Sequence, residues 1–365
     1  MAERILVRAP NWAGDVVMAT PGLRALRAGR PGAHVAVHVK ASLAPLLRGA
    51  PWIDEIVPLA SAGRGAGALV REGVGLRARR FELGLCLPDS FSSALLMRCA
   101  GVGRIVGHAT QGRRVLLHVA VAPRPGLVPR EQQVLDVVAA AGCPAQGPHL
   151  ELFVRDEEEQ AARHALAAAG IGAGEPLALL APGASFGPAK RWPPERFAAV
   201  GDALAAAGAR VAVIGAPDEA PLASALAAAM RAPAALLTGR LDLGALKAVV
   251  RRARVLVCND AGARHVAVAF GVPVLALFGP TSLAKTSWNL ERVRAFAADV
   301  GCRPCYRRRC PIDHRCMTGI ASERVAAAAV EAFRDPEGFR GDAARQLLRE
   351  PAAPLAPARR RSVPA

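Results

Sequence analysis

The chain has 365 residues, 52% hydrophobic and 21% charged, with Lys+Arg 47 against Asp+Glu 30 and a formal net charge of +17. That length and apolar content support sizeable cores, expected as two, and exclude a chain disordered from end to end. The longest nearly uninterrupted apolar run, Val266 to Phe278, is broken by Gly271 and Pro273 and falls short of the roughly 18 residues needed to cross a bilayer. The opening segment lacks the long apolar stretch of a secretory signal, so the expected location is the cytoplasm.

In chain order, strands are expected at Ile5 to Arg8, His34 to Val39, Leu83 to Leu87 and Arg104 to Gly107. Helices are expected near Val16 to Ala28, Leu69 to Arg80, Ser90 to Ala100 and Gln132 to Ala141, with Pro123 to Pro129 a loop. Asp156, followed three residues later by Glu159, has capping-box chemistry, and the helix it opens stops near Gly170. After Gly172-Ala173-Gly174 the alternation restarts: strand Leu177 to Ala181, helix Pro194 to Ala207, strand Arg210 to Ile214, helices Ala220 to Ala229 and Leu243 to Ala253. Strand Val255 to Cys258, helix Arg264 to Phe270 and strand Val274 to Phe278 follow. Short β-type runs alternating with Ala/Leu-rich helices define an α/β chain of βα units around parallel sheets. The expected domains are 1–172 and 175–335, and the Pro- and Arg-rich stretch 351–365 reads as a disordered basic tail, either a solvated end or a weak contact to an anionic membrane.

The positive charge admits nucleic acid, an anionic substrate or an anionic membrane face, and an Arg-rich composition by itself explains part of it. Aromatic residues are only 4% and Tyr306 is the single tyrosine, which leaves few platforms for stacked bases, so no nucleic-acid partner is expected.

Four segments could carry chemistry. Ala181 to Pro194 follows an apolar strand and precedes a helix opened by Pro193 and Pro194: Gly183 and Gly187 let backbone approach an anion, Ser185 offers a hydroxyl and Lys190 a point charge. Its spacing is not that of a Walker A loop, and an ordinary βα turn with a solvated lysine is the plain alternative. In Cys258 to Thr281, Asp260, Ala261 and Gly262 sit where a buried strand turns into a helix, with His265 one turn further on. That edge of an open α/β sheet is where ligands bind, and the plain alternative makes Asp260 a helix N-cap and His265 a surface residue. In Asn11 to Asp15, Asp15 is either an N-cap or a general base that takes a hydroxyl proton. Finally, Cys302, Cys305, Cys310 and Cys316 fall within 15 positions, with His314 and Arg303, Arg307, Arg308, Arg309 and Arg315 among them. Four thiols so close suit structural zinc or iron, reduced structural cysteines or a redox disulfide, on an insert, 301–317, basic enough to touch an anionic acceptor.

In this order, Gly14-Asp15, Pro182-Gly183 running to Lys190-Arg191-Trp192-Pro193, and Asn259-Asp260-x-Gly262-x-x-His265 followed by Phe278-Gly279-Pro280 resemble the ADP-heptose:lipopolysaccharide heptosyltransferases. These are inverting glycosyltransferases of family 9. The likeness covers the chain to about residue 335, and the Lys-Arg-Trp-Pro stretch and the cysteine insert look most like the heptosyltransferase II branch, which adds the second inner-core heptose. The resemblance implies a GT-B fold, two Rossmann-like doubly wound domains facing a central cleft, with an N-terminal acceptor domain and a C-terminal nucleotide-sugar domain. It implies Asp15 as catalytic base, with Gly14 beside it, and Ser185 and Lys190 as diphosphate contacts. Glu219 would be the ribose carboxylate, with Asp218 as its competitor, and Asp260, Ala261, Gly262 and His265 would hold the donor's heptose and phosphates. It implies ADP-heptose as donor, a lipid A-core acceptor at the inner face of the inner membrane with peripheral membrane contact, and no cofactor for the chemistry. One departure touches donor preference: the family usually has Thr or Ser where this chain has Ala261. A different nucleotide sugar or a protein acceptor is the alternative within the same architecture.

Overall fold

The computed structural model describes residues 2–60 and 65–341; the expected basic tail, 351–365, lies outside the described residues. The first sheet holds β1 (Arg4–Arg8), β2 (His34–Lys40), β3 (Glu55–Leu59), β4 (Leu83–Cys86), β5 (Arg104–His108) and β6 (Val119–Val121), all parallel in the order β3-β2-β1-β4-β5-β6. The second holds β7 (Leu177–Ala181), β8 (Arg210–Val213), β9 (Ala235–Leu236), β10 (Val255–Asn259), β11 (Val274–Leu277) and β12 (Val293–Phe296), again parallel, in the order β9-β8-β7-β10-β11-β12. Both orders are 3-2-1-4-5-6, so each sheet reverses direction once, between β1 and β4 and between β7 and β10. Those reversals open crevices at the carboxyl ends of the strands.

Every strand missing from the sequence expectation is an edge strand: β3, β6, β9 and β12. The central strands are buried on both faces and read as apolar runs, whereas β6 and β9 are half-buried throughout and β3 exposes Pro58.

The helices are α1 (Ala13–Met18), α2 (Thr20–Gly29), α3 (Gly65–Leu76), α4 (Phe91–Cys99), α5 (Arg130–Ala140), α6 (Asp156–Ala168), α7 (Pro194–Ala206), α8 (Ala220–Ala229), α9 (Leu243–Arg252), α10 (Gly262–Ala269), α11 (Arg315–Thr318) and α12 (Ser322–Arg334). The single helix expected over Val16 to Ala28 is two, because Pro21 lacks the amide that would continue the ladder. The expected cap at Asp156 shifts by one residue: Arg155 stands at the N-cap, and the Glu158 carboxylate, not Glu159, accepts from the Arg155 amide at 3.1 Å.

Two separate cores were expected, but the largest apolar cluster is continuous across the seam, joining Val7, Val35 and Leu46 to Leu179, Val249 and Leu256. Smaller clusters cover the outer faces of the second and first sheets. At the seam α9 packs on α6 and on the turn Ala41–Leu46. Lys247 of α9 is fully buried there, 3.0 Å from the Glu158 carboxylate and donating to the Phe153 carbonyl at 2.7 Å. Burial pushes the Lys247 ammonium down, and Glu158 offsets part of that. Removing one partner of such a pair leaves a bare buried charge. Lys247→Met is expected to lower unfolding stability by about 3 kcal/mol in denaturant titration, and Lys247→Met/Glu158→Leu to recover most of it.

Candidate active site

The loop after β7 and the start of α10 meet at the second sheet's reversal. Asn259, the last residue of β10 and fully buried, donates to the Pro182 carbonyl at 2.7 Å and accepts from the Trp192 amide at 3.2 Å. One side chain thereby ties both ends of the loop 182–192 to the sheet. Lys190 then reaches Asp260: its Nζ lies 2.5 Å from Oδ2 and donates to the Asp260 carbonyl at 2.9 Å. Thr281 Oγ1 donates to the same Oδ2 at 2.8 Å, and Arg264, buried, stands 3.7 Å from Oδ1. Burial by itself would raise Asp260, but Lys190, Arg264 and the hydrogen bonds from Lys190 and Thr281 outweigh it and bring the carboxyl down to about 2.

Asp260 is therefore an ion-pair centre and not the helix cap. Ala261 occupies the N-cap and provides no side-chain hydrogen bond, so the first turn of α10 has no side-chain cap. Ser185 is exposed at the tip of the loop.

Glu219 is buried and folds over Gly183 and Gly215, where an added Cβ would fall 2.0 Å from Glu219 Cδ at the first and 2.7 Å from Oε2 at the second. Its Oε2 accepts from the Ala216 amide at 2.9 Å. It follows β8, the strand whose end holds a ribose carboxylate in Rossmann sheets. Asp218 is exposed beside it, so burial separates two residues that spacing could not.

In the first sheet Asp15 lies in the first turn of α1, three residues past the N-cap position, Trp12, which makes no side-chain cap. Burial pushes the Asp15 carboxyl above the usual range; Arg130 pulls it down, Asp89 adds to the rise, and Lys190 and Lys285 of the other half pull it down further. Arg130 is held by Asp89 at 3.0 Å, and the fully buried Arg113 stands 3.7 Å from the same carboxylate.

The two halves touch at glycines. A Cβ on Gly14 would stand 2.9 Å from His265 Cδ2, and one on Gly262 3.2 Å from Ala13 Cβ and 3.3 Å from the Gly14 amide. His265 thus packs against the first half. Burial, and then Arg264, hold its imidazole well below its ordinary pKa, so it is neutral, with Nε2 3.2 Å from the Arg264 guanidinium.

Arg264, Thr281, Lys285, Asp89, Arg130 and Glu131 were not singled out in the sequence. Arg264 and Thr281 lie inside or beside quoted motifs, and the rest carried no local signal.

The four cysteines of the metal expectation sit at different depths. Cys302 and Cys305 are exposed, Cys310 half-buried and Cys316 buried, all with free thiols. Among the described residues no three His, Cys, Asp or Glu side chains are grouped to hold one ion. His314 is turned to the loop 182–192, its Nε2 2.7 Å from the Ala189 carbonyl. Burial and the three neighbouring thiols push Cys316 up to about 11.

Two Rossmann sheets whose reversal points face each other across a charged seam form a GT-B glycosyltransferase. The profile of glycosyltransferase family 9 (heptosyltransferase) matches residues 70–315. Lipopolysaccharide heptosyltransferase 2 of Escherichia coli strain K12 is 30% identical over 296 residues, which are 76% of this chain and 83% of the relative. The solved structure of E. coli ADP-heptose LPS heptosyltransferase II aligns with a TM-score of 0.77 at 25% identity, covering 92% of this chain and all of that one. A family 9 glycosyl transferase from Veillonella parvula shares the fold with a TM-score of 0.80 at 20% identity, covering 91% and 97%. The chain belongs to glycosyltransferase family 9, the heptosyltransferases.

Glu131, in the first turn of α5 near Asp15 and Arg264, is 1% exposed; its Oε1 accepts from Asn289 at 3.4 Å and its Oε2 has no partner. Burial pushes its carboxyl up to about 7, against its own backbone hydrogen bond and Arg264. The folded protein thus holds this proton more tightly than the unfolded chain, whose group titrates near 4.5, so stability falls as pH rises from about 4.5 through about 7. Glu131→Gln is expected to raise stability by about 2 kcal/mol at pH 8 and to leave it nearly unchanged at pH 4, read by thermal unfolding at both pH values.

Proposed function

We propose that this chain transfers heptose from ADP-heptose to the inner-core heptose of lipopolysaccharide, inverting the anomeric configuration. In this reading residues 175–335 hold the donor and residues 1–172 present the acceptor. The observation that carries it is the placement of Asp15: it sits at the first sheet's reversal, within electrostatic reach of Lys190 from the other half, across the Gly14–Gly262 contact. The names of the similar proteins supply the sugar and the acceptor.

The acceptor hydroxyl attacks the anomeric carbon as the bond to the ADP oxygen breaks, and Asp15 takes the hydroxyl proton. A carboxylate raised above the usual range by burial is a stronger base, and Arg130, Lys190 and Lys285 limit that rise. Charge grows on the departing diphosphate, and Lys190, Ser185 and the uncapped amides of α10 are placed to receive it. With cations of the chain in that role, the step needs no cofactor. Glu219 holds the ribose, and Asp260, Ala261, Gly262 and His265 line the sugar side.

No helix among the described residues is long and apolar enough to cross a membrane. The net charge of +17 suits peripheral contact with the anionic inner face of the inner membrane, where the lipid-linked acceptor would be presented.

Asp15→Asn is expected to lower kcat by at least about 10²-fold while calorimetric ADP binding stays as in the wild type; turnover near wild type would remove Asp15 from the chemistry. Mass spectrometry of wild-type reactions with ADP-heptose and lipid A-core acceptors bearing no heptose or one heptose tests the substrate pair. Addition to the one-heptose acceptor alone is expected. Addition to neither, by a protein that binds ADP, would redirect the reading to another nucleotide sugar or a protein acceptor.

A further inference from the structure

We propose that the arginine-rich segment 301–317 is the outer wall of the donor site and that Arg308 is a further contact to the donor's phosphates. The inference rests on the donor reading above, and its grounds are the packing and charge of the loop 183–190.

The segment is fastened to both loops that build the site. On one side the Arg308 carbonyl accepts from the Ala189 amide at 3.1 Å, and His314 holds the Ala189 carbonyl from the other direction at 2.7 Å. Gly187 makes the approach feasible: its φ of 147° lies where side chains are strained, and a Cβ there would stand 2.5 Å from the Arg308 carbonyl oxygen. On the other side Tyr306 donates its amide to the Pro280 carbonyl at 2.8 Å, and Arg303 Nε donates to the Gly279 carbonyl at 3.3 Å. Pro280 adjoins Thr281, which hydrogen-bonds Asp260. The segment therefore fixes the spacing between the loop of Lys190 and the loop of Thr281.

Charge supplies the second part of the argument. Lys190 is already 2.5 Å from Asp260, and Arg264 faces the same carboxylate. A nucleoside diphosphate arriving at this loop meets cations whose charge Asp260 partly offsets. Arg308 differs: it is exposed, and among the described residues no salt bridge engages it, whereas Arg315 of the same segment is paired with Asp313 at 2.7 Å. Its guanidinium lies 5.8 Å from the centre of the Phe186 ring, on which Lys190 also rests at 5.1 Å. Phe186 is the residue after Ser185, so the aromatic face holds two cations beside the exposed hydroxyl and the glycine-flanked amides. A guanidinium can take two phosphate oxygens at once, which the Lys190 ammonium, occupied by Asp260, cannot.

The test is calorimetric titration of the purified full chain with ADP, AMP and adenosine, for wild type, Arg308→Ala and Arg308→Lys. Arg308→Ala is expected to weaken ADP about tenfold and leave adenosine unchanged, with Arg308→Lys between the two for ADP. Equal ADP affinity in wild type and Arg308→Ala would overturn the assignment, as would an equal loss for ADP and adenosine, which would reduce Arg308 to loop packing. A wild-type chain that binds no ADP would overturn the donor reading itself, and this inference with it.

Discussion

Gly14 and Gly262 stand in the first turns of α1 and α10, which belong to different sheets, and each lacks the side chain that would hold the other helix away. A methyl group on Gly14 would press on His265, and one on Gly262 would meet Ala13. Because both helices begin at the carboxyl ends of strands flanking a reversal, their contact brings the two reversal points together. Asp15 comes under the influence of Lys190 and Lys285 through this contact, and His265 is dried and kept neutral by it.

Around that contact the two sheets repeat one electrostatic device. After the fourth strand of each stands an aspartate held by two cations: Asp89 by Arg130 and Arg113, Asp260 by Lys190 and Arg264. Such pairs exchange hydration for mutual attraction in a site of low dielectric, and what they gain is fixed geometry more than stability. Asp15 lies between the two devices, and among the described residues no salt bridge engages it. A half-buried carboxylate near several cations and in a salt bridge with none of them has the character the proposed base requires.

The cysteine insert shows how much a compositional signal leaves out. Four thiols within 15 positions suggested a metal knuckle, because sulfur spacing is visible in a sequence and packing partners are not. In the fold the backbone carbonyl of Arg308 and the ring of His314 lie against Ala189, and Met317 and Cys316 pack on Gly279. The segment joins two loops distant in sequence, and its basic side chains project beside them.

The sequence by itself determined the α/β class, the central strands and the positions of the three loops at the sheets' reversals. Each follows from local rules: doubly buried strands read as apolar runs, and glycines and prolines mark the turns at their carboxyl ends. Only the tertiary structure decided the edge strands β3, β6, β9 and β12, which are short and only partly buried, and the burial of Glu219 beside an exposed Asp218, which depends on the space above Gly183 and Gly215. It also decided the buried partners Lys247, Arg264 and Glu131 and the half-buried Arg130. Each charge there is set by groups up to a hundred or more residues away, from Lys247 and Glu158 across the seam to Glu131 facing Arg264. A charged residue in a helix reads the same from its sequence neighbours whether water or another helix covers it; burial, which no local pattern encodes, makes it structural or functional.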